Sequence, residues 1–231
     1  MEPYYSEDGI RIYHGDCRDV IPRLDVEQFD LVLTDPPYSG RTHDGARTNR
    51  EGDRQRPFIK FASMTGAEVA SVFELCAVRL RSWLISFVDW RHMLLLESTP
   101  PSGLRFVRFG IWDKPNGTPQ ISGDRPAMGW EAIAILHRQG GRMVWNGGGH
   151  RAVWSSLRES NVVHRTQKPL RLIKQLAAEF TQPGDLILDP FMGSGTTLRA
   201  AKDVGCRAIG IELDERYCEA AANRLRQGVL F

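Results

Sequence analysis

The sequence predicts an α/β fold, a mostly parallel, twisted sheet with helices on both faces, in one domain spanning residues 1–231. Three observations predict it. The last third alternates helix and strand patterns with short connections: helix 170–180, strand 185–189, helix 196–204, strand 207–212 and helix 214–226. Such alternation builds parallel sheets through right-handed crossovers. Apolar runs at 29–33, interrupted only by Asp30, and at 186–188 suit strands buried on both faces. Acidic residues (Asp35, Asp189 and Glu212) follow or end three of the strand patterns. Open parallel sheets bind ligands at those carboxyl ends.

Taken in order, residues 10–13 form a short strand ending at His14-Gly15-Asp16, with a short helix at 18–24, and residues 30–34 form a buried strand. Residues 41–57 carry five Arg and no apolar periodicity, which predicts a mobile polar loop. Helical spacing of Val69, Val72, Phe73, Cys76 and Leu80 predicts a helix over 67–81. Strands are expected at 83–88, 104–112 and 131–136, with a helix at 89–97. The stretch 114–128, with three Pro and two Gly, reads as turns. Residues 142–145 and 153–154, joined by Asn146-Gly147-Gly148-Gly149, read as a hairpin. Pro169 introduces the helix at 170.

A chain of 231 residues that is 42% hydrophobic can bury a full core. No run approaches the roughly 18–20 apolar residues that span a bilayer. The polar start reads as no signal peptide. Cys17, Cys76, Cys206 and Cys218 are scattered, which suggests reduced thiols in a cytoplasmic protein and no metal site. The net charge is only +2, but residues 1–40 carry 3 basic and 9 acidic side chains, and residues 138–171 carry 7 basic and 1 acidic. A stripe that basic suits a phosphate backbone, so Arg138, Arg142, Arg151, Arg158 and Arg165 are expected on a DNA-facing surface. The excess of 25 Arg over 5 Lys suits bidentate phosphate contacts, and a GC-rich genome would produce it as well.

Two motifs carry the chemistry. Thr34-Asp35-Pro36-Pro37-Tyr38 follows the first buried strand. An exocyclic amine on a nucleobase is a poor nucleophile, because its lone pair is delocalised into the ring. The Asp35 carboxylate can accept one of its N–H groups and the Pro36 carbonyl the other. Pro36 and Pro37 restrict the backbone and so preorganise both acceptors. Tyr38 offers a flat face for an extruded base. Alone, the tetrapeptide also fits an ordinary Pro-Pro turn. The second motif is Asp189-Pro190-Phe191-Met192-Gly193-Ser194-Gly195-Thr196-Thr197. Its glycines permit a tight turn that a nucleoside-type cofactor can approach, and its hydroxyls can cap the next helix. It is neither GxGxxG nor a P-loop. Glu212, 23 residues after Asp189, is placed to accept from ribose hydroxyls. A capped turn and a surface Glu would look the same in isolation. Two weaker elements are Thr166-Gln167-Lys168 before a helix, suited to a carboxylate or to a plain helix start, and Asp16, suited to an adenine amino group or to an N-cap.

These motifs together resemble the β-group of amino-methylating DNA methyltransferases, in which a DPPY-type motif precedes an FxGxG motif. The match is DPPY at 35–38 and FMGSG at 191–195, with H-x-T-x-K-P at 164–169, Trp112-Asp113-Lys114-Pro115-Asn116, and GIELDERY at 210–217. It covers nearly the whole chain. The resemblance implies a Rossmann-like S-adenosylmethionine-dependent methyltransferase fold in circularly permuted motif order. It implies a cofactor site lined by Asp35, Asp189, Phe191, Gly193, Ser194, Gly195 and Thr196. Glu212 would take ribose, Asp16 and Cys17 adenine, and Thr166, Gln167 and Lys168 the methionine end. Asp35, Pro36, Pro37 and Tyr38 would hold a flipped base in double-stranded DNA. It further implies a homodimer and a small target-recognition insertion at 113–163. Asp in first place of DPPY favours N6 of adenine. Cytosine-N4, RNA or protein-glutamine methylation, and a catalytically silent nucleic-acid-binding module, are the alternatives.

Overall fold

The computed structural model describes residues 1–37, 63–117, 119–159 and 167–226. The expected loop 41–57, Tyr38, Arg165 and Thr166 lie outside them. Nine strands form one sheet in the order β1-β2-β9-β8-β3-β4-β6-β5-β7. They are β1 (Tyr5–Glu7), β2 (Ile10–His14), β3 (Phe29–Thr34), β4 (Leu80–Val88), β5 (Leu104–Asp113), β6 (Trp130–Arg138), β7 (Val153–Ser155), β8 (Leu186–Asp189) and β9 (Arg207–Glu212). The pairings β2–β9, β9–β8, β8–β3, β3–β4 and β5–β7 are parallel. Pairings β1–β2, β4–β6 and β5–β6 are antiparallel. The sheet is therefore mixed and mostly parallel.

Helices cover both faces because the central strands alternate their side chains between two apolar clusters. Leu31, Leu33, Ile85 and Ile187 pack against α4 (Leu170–Phe180), α5 (Thr196–Asp203) and α6 (Glu215–Arg226). Val32, Leu84, Leu188 and Ile209 face α1 (Cys17–Val20), α2 (Gly66–Ala77) and α3 (Met93–Ser98). Helix α4 buries Leu172, Ile173, Leu176 and Phe180 along one face, each worth about 1.5–3 kcal/mol of transfer free energy. No helix among the described residues is long and apolar enough to cross a membrane.

Three expectations are corrected. The helix expected to reach residue 81 ends at Ala77. Its start is secured by a Thr65–Glu68 capping box, but the Arg79 amide closes a turn on the Cys76 carbonyl at 3.2 Å, and β4 begins at Leu80. Leu80 satisfies a helical spacing and starts a strand equally well. The expected 142–154 hairpin does not form, because β7 pairs in parallel with β5. Asn146 instead closes the end of α4: its side-chain amide donates to the carbonyls of Ala178 (2.8 Å) and Thr181 (2.6 Å), and its backbone N–H to Glu179 (2.8 Å). Trp145 packs on Phe180, with ring centroids 4.9 Å apart. Asn146 thus satisfies orphan helix carbonyls. Finally, β6 lies inside the span 113–163 expected to be an insertion, yet it sits between β4 and β5 in the sheet. The segments outside the sheet there are the connections flanking β6 and β7.

Candidate active site

The chain turns back at β8 and β3. From β8 the next strand, β9, lies on one side, and from β3 the next strand, β4, lies on the other. In open α/β sheets such a switch point leaves a crevice at the carboxyl ends of the strands. Asp189 ends β8, and Asp35 follows the last residue of β3. The two loops, 155 residues apart, are joined directly: the Thr34 hydroxyl donates to Asp189 Oδ1 at 2.7 Å in a buried contact. The spatial meeting on which the motif reading depends is present.

Asp189 is a brace for the turn. It is buried, and its carboxylate accepts from Thr34, from the Phe191 amide at 3.1 Å and from the Thr197 side chain. Burial pushes its carboxyl up to about 6, against those three donors. Expected in a cofactor site, Asp189 braces the turn that would line it. The Thr hydroxyls do not cap α5, whose N-cap is Gly195 in a left-handed conformation. Thr196 accepts from Arg224 at 3.0 Å, and Ser194 donates to Gln167 Oε1 at 3.0 Å.

The two glycines of the turn differ. A Cβ on Gly195 would lie 2.7 Å from Ala221 Cβ, so that glycine is required by the approach of α6. Gly193, with φ +50°, meets nothing within 4 Å and faces open space. Its N–H donates to Glu212 Oε2 at 3.0 Å, and Glu212 Oε1 accepts the Asp214 amide at 2.8 Å. Burial raises the Glu212 carboxyl, and the Asp214 and Gly193 amides pull it back. Each oxygen of a carboxylate has a second acceptor position, so Glu212 can brace the turn and still meet a hydroxyl. Glu212 also stands beside the β2 end, where its carbonyl takes the Gly15 amide at 2.9 Å.

Asp16, just beyond, caps α1 through the Arg18 amide at 2.9 Å and pairs with the Arg18 guanidinium at 2.5 Å. The Cys17 thiol is buried in the core and pushed up to about 12 by that burial. Its expected contact to a cofactor can come only from its backbone.

Around Asp35 the geometry joins two motif lysines to a residue that no motif named, Glu131. The Lys168 ammonium donates to Asp35 Oδ2 and lies 3.3 Å from Glu131 Oε2. Glu131 in turn pairs through Oε1 with Lys114. The two ammonium groups sit over the rings of Phe87 (4.9 Å) and Trp112 (4.6 Å), a cation–π geometry. Lys168 was expected at a methionine carboxylate. It is instead buried between two carboxylates of the protein. Burial disfavours its charge, but Asp35 and Glu131 outweigh that and raise the Lys168 ammonium above its ordinary range. Burial also raises the Asp35 carboxyl, with Lys168 pulling it the other way. Glu131 is held below its usual range by Lys168 and Lys114 despite its own burial. Pro36 is buried, and the Pro37 carbonyl takes the Met64 amide at 2.8 Å. Gln167, next to Lys168, bonds Ser194, so one dipeptide ties the glycine turn to the DPPY turn. Neither Glu131 nor Thr34 carried a local signal; only the sheet order places them here.

The expected basic stripe is split. Strand β6 starts at the site end with Trp130 and Glu131 and finishes at Arg138, about 23 Å away at 3.3 Å per residue. Arg138 donates to the Gly103 carbonyl at 2.9 Å, and the Arg142 amide to the Arg81 carbonyl at 2.9 Å, both at the opposite end of the strands. Those two lie away from the crevice around Asp35. Arg151 is exposed just before β7. Arg158 is exposed near the site end, bonded through its amide and guanidinium to Asn116 at 2.8 and 2.9 Å.

The sequence profile of the N6/N4 DNA methylases, described as DNA methylase, matches residues 29–223. The Type II methyltransferase M.XycI of Xanthomonas campestris pv. cyanopsidis is 35% identical over 94% of this chain and 88% of its own length. The Type II methyltransferase M.HinfI of Haemophilus influenzae is 28% identical over 94% of this chain and 68% of its own. Among solved structures, an M1.HpyAVI–SAM complex superposes with a TM-score of 0.72 at 24% identity, covering 93% of this chain and 99% of that one. PvuII DNA methyltransferase, cytosine-N4-specific, superposes with a TM-score of 0.74 at 16% identity, covering 100% and 91%. The motif order, the switch-point crevice between Asp35 and the glycine turn, and a family match running from β3 into α6 agree: the chain belongs to the N6/N4 family of DNA methylases.

Proposed function

We propose that the protein transfers a methyl group from S-adenosylmethionine to N6 of adenine in duplex DNA, as a Type II methyltransferase like its curated relatives. The observation that carries this is the juxtaposition of Asp35 with the glycine turn across the Thr34–Asp189 contact. The residues fit the cofactor: Gly193 leaves open space above the turn, and Glu212 stands beneath it with acceptor capacity to spare. S-adenosylmethionine supplies an electrophilic methyl group on a positively charged sulfur.

The chain's own residues prepare the amine. Asp35 Oδ1 accepts one N–H and the Pro36 carbonyl the other, which draws the nitrogen lone pair out of conjugation. The carboxylate also offsets positive charge as it develops on the nitrogen. Tyr38 stacks on the extruded base. After transfer the surplus proton leaves to solvent; Lys168, already charged, has no lone pair to take it. Arg151 and Arg158 face the phosphate backbone. Asp in first place of DPPY supports adenine over cytosine. DNA methylated by the protein, digested to nucleosides and separated, is expected to contain N6-methyladenine. N4-methylcytosine in its place would overturn the choice of base.

A further inference from the structure

Asp35 uses its two oxygens differently. Oδ2 is taken by the Lys168 ammonium, and among the described residues no donor reaches Oδ1. The ammonium has little freedom. It is buried, lies over the Phe87 ring, and is held from the far side by Glu131 at 3.3 Å. Glu131 is itself fixed by Lys114. The chain Asp35–Lys168–Glu131–Lys114 therefore runs from the DPPY turn, through the residue before Pro169, to the start of β6 and the end of β5. Both carboxylates that meet the Lys168 ammonium belong to the protein. The Asp35 side chain is partly exposed, and its desolvation favours the protonated form; without the cation beside it, the group would protonate more readily and accept hydrogen bonds less well.

We propose that Lys168 is a positioning residue for the base-binding carboxylate: it clamps Oδ2 of Asp35, keeps the group ionised and leaves Oδ1 for the incoming amino group, while Glu131 and Lys114 hold the clamp in place. This inference rests on Asp35 being the acceptor for the target amine. The charged groups facing Asp35 are Lys168 before α4, Glu131 on β6 and Lys114 after β5, and Asp35 in turn bears on Asp189 at the end of β8. Of the three that act on it, the two lysines favour its ionised form and Glu131 disfavours it.

The sign of the pH response follows. Methyl transfer requires the carboxylate, so the rate rises with pH through the Asp35 ionisation. Removing the adjacent cation moves that rise to higher pH. Single-turnover methylation of duplex DNA at saturating S-adenosylmethionine is measured from pH 5 to 10 for the wild type, Lys168→Met, Lys168→Arg and Glu131→Gln. Lys168→Met is expected to shift the acid limb upward by at least about one pH unit, so that below the wild-type midpoint its rate is at least about tenfold lower and the gap narrows as pH rises. Lys168→Arg returns the limb toward the wild type. Glu131→Gln, which removes a like charge, leaves the limb no higher than in the wild type, even where its rate falls. General damage to the network would instead lower the rate of Lys168→Met and Glu131→Gln alike at every pH, and that pattern, or an unshifted limb in Lys168→Met, overturns the clamp. An inactive Asp35→Ala alongside an unshifted Lys168→Met sinks the clamp and spares the role of Asp35. Turnover retained in Asp35→Ala sinks both.

Discussion

Replacing Asp35 with alanine is expected to lower methyl transfer by about 10²–10³-fold or more while S-adenosylmethionine still binds. The carboxylate is the only ionised acceptor at the DPPY turn, and its loss leaves the amine conjugated and unheld. The fold is expected to survive, because Lys168 keeps Glu131 as counter-ion at 3.3 Å, so no buried ammonium is stranded. The turn that would bear the cofactor is braced independently, through the Gly193 amide on Glu212 and the Phe191 amide on Asp189. Methyl incorporation and calorimetric titration of the cofactor, run on the same preparation, separate the two effects. Turnover near wild-type level would remove Asp35 from the chemistry. Loss of cofactor binding in parallel would make it part of the cofactor site instead.

The two glycines of the turn are expected to fail in different ways when changed to alanine. Gly195 has φ +78° and no room for a Cβ, which would lie 2.7 Å from Ala221 Cβ. Left-handed strain costs about 1–2 kcal/mol and overpacking about 1–3 kcal/mol more. Gly195→Ala should therefore lower Tm by about 10 °C, with activity lost along with the fold. Gly193→Ala carries the φ strain alone, since nothing lies within 4 Å of its Cβ position. It should stay folded, with a Tm within a few degrees of the wild type, yet bind S-adenosylmethionine at least about tenfold more weakly, a loss of about 1.4 kcal/mol. Thermal unfolding and cofactor titration of both variants check this. Unchanged cofactor affinity in Gly193→Ala would mean that the open space above Gly193 is not a binding surface.

Much of the fold was legible in the chain. The helix at Leu170–Phe180 and the strand at Arg207–Glu212 stand where their periodicity placed them, because each buries one clean apolar face or a continuous apolar run. Legibility failed where a segment's role is set by a distant partner. Asn146 and its glycines suggest a hairpin turn locally, and only the carbonyls of Ala178 and Thr181 make them a helix cap. Charge density along the chain grouped Arg138 with Arg158, but a nine-residue strand carries the first to the far end of the sheet's strands. β1, three residues long, was missed for want of a pattern.

At the site, the motif residues Asp35, Gly193 and Glu212 announced themselves through their spacing. The ion pairs that support them did not. Lys168 meets Asp35 across 133 residues of sequence. Glu131 looks like any strand-edge acid until β6 is seen beside β4. The hydroxyls after the glycine turn were legible as polar but not in direction: they brace sideways, to Arg224, Gln167 and Asp189, where capping was expected.

Hydrogen exchange by mass spectrometry, with and without S-adenosylmethionine, tests most directly whether the carboxyl ends of β8, β9 and β3 form one site. Slowed exchange is predicted in the peptides covering residues 189–196, 212–214 and 34–37, with no change in the peptide covering 138–142 at the opposite end of the strands. Protection confined to that far end, or absent from the glycine turn, would contradict it.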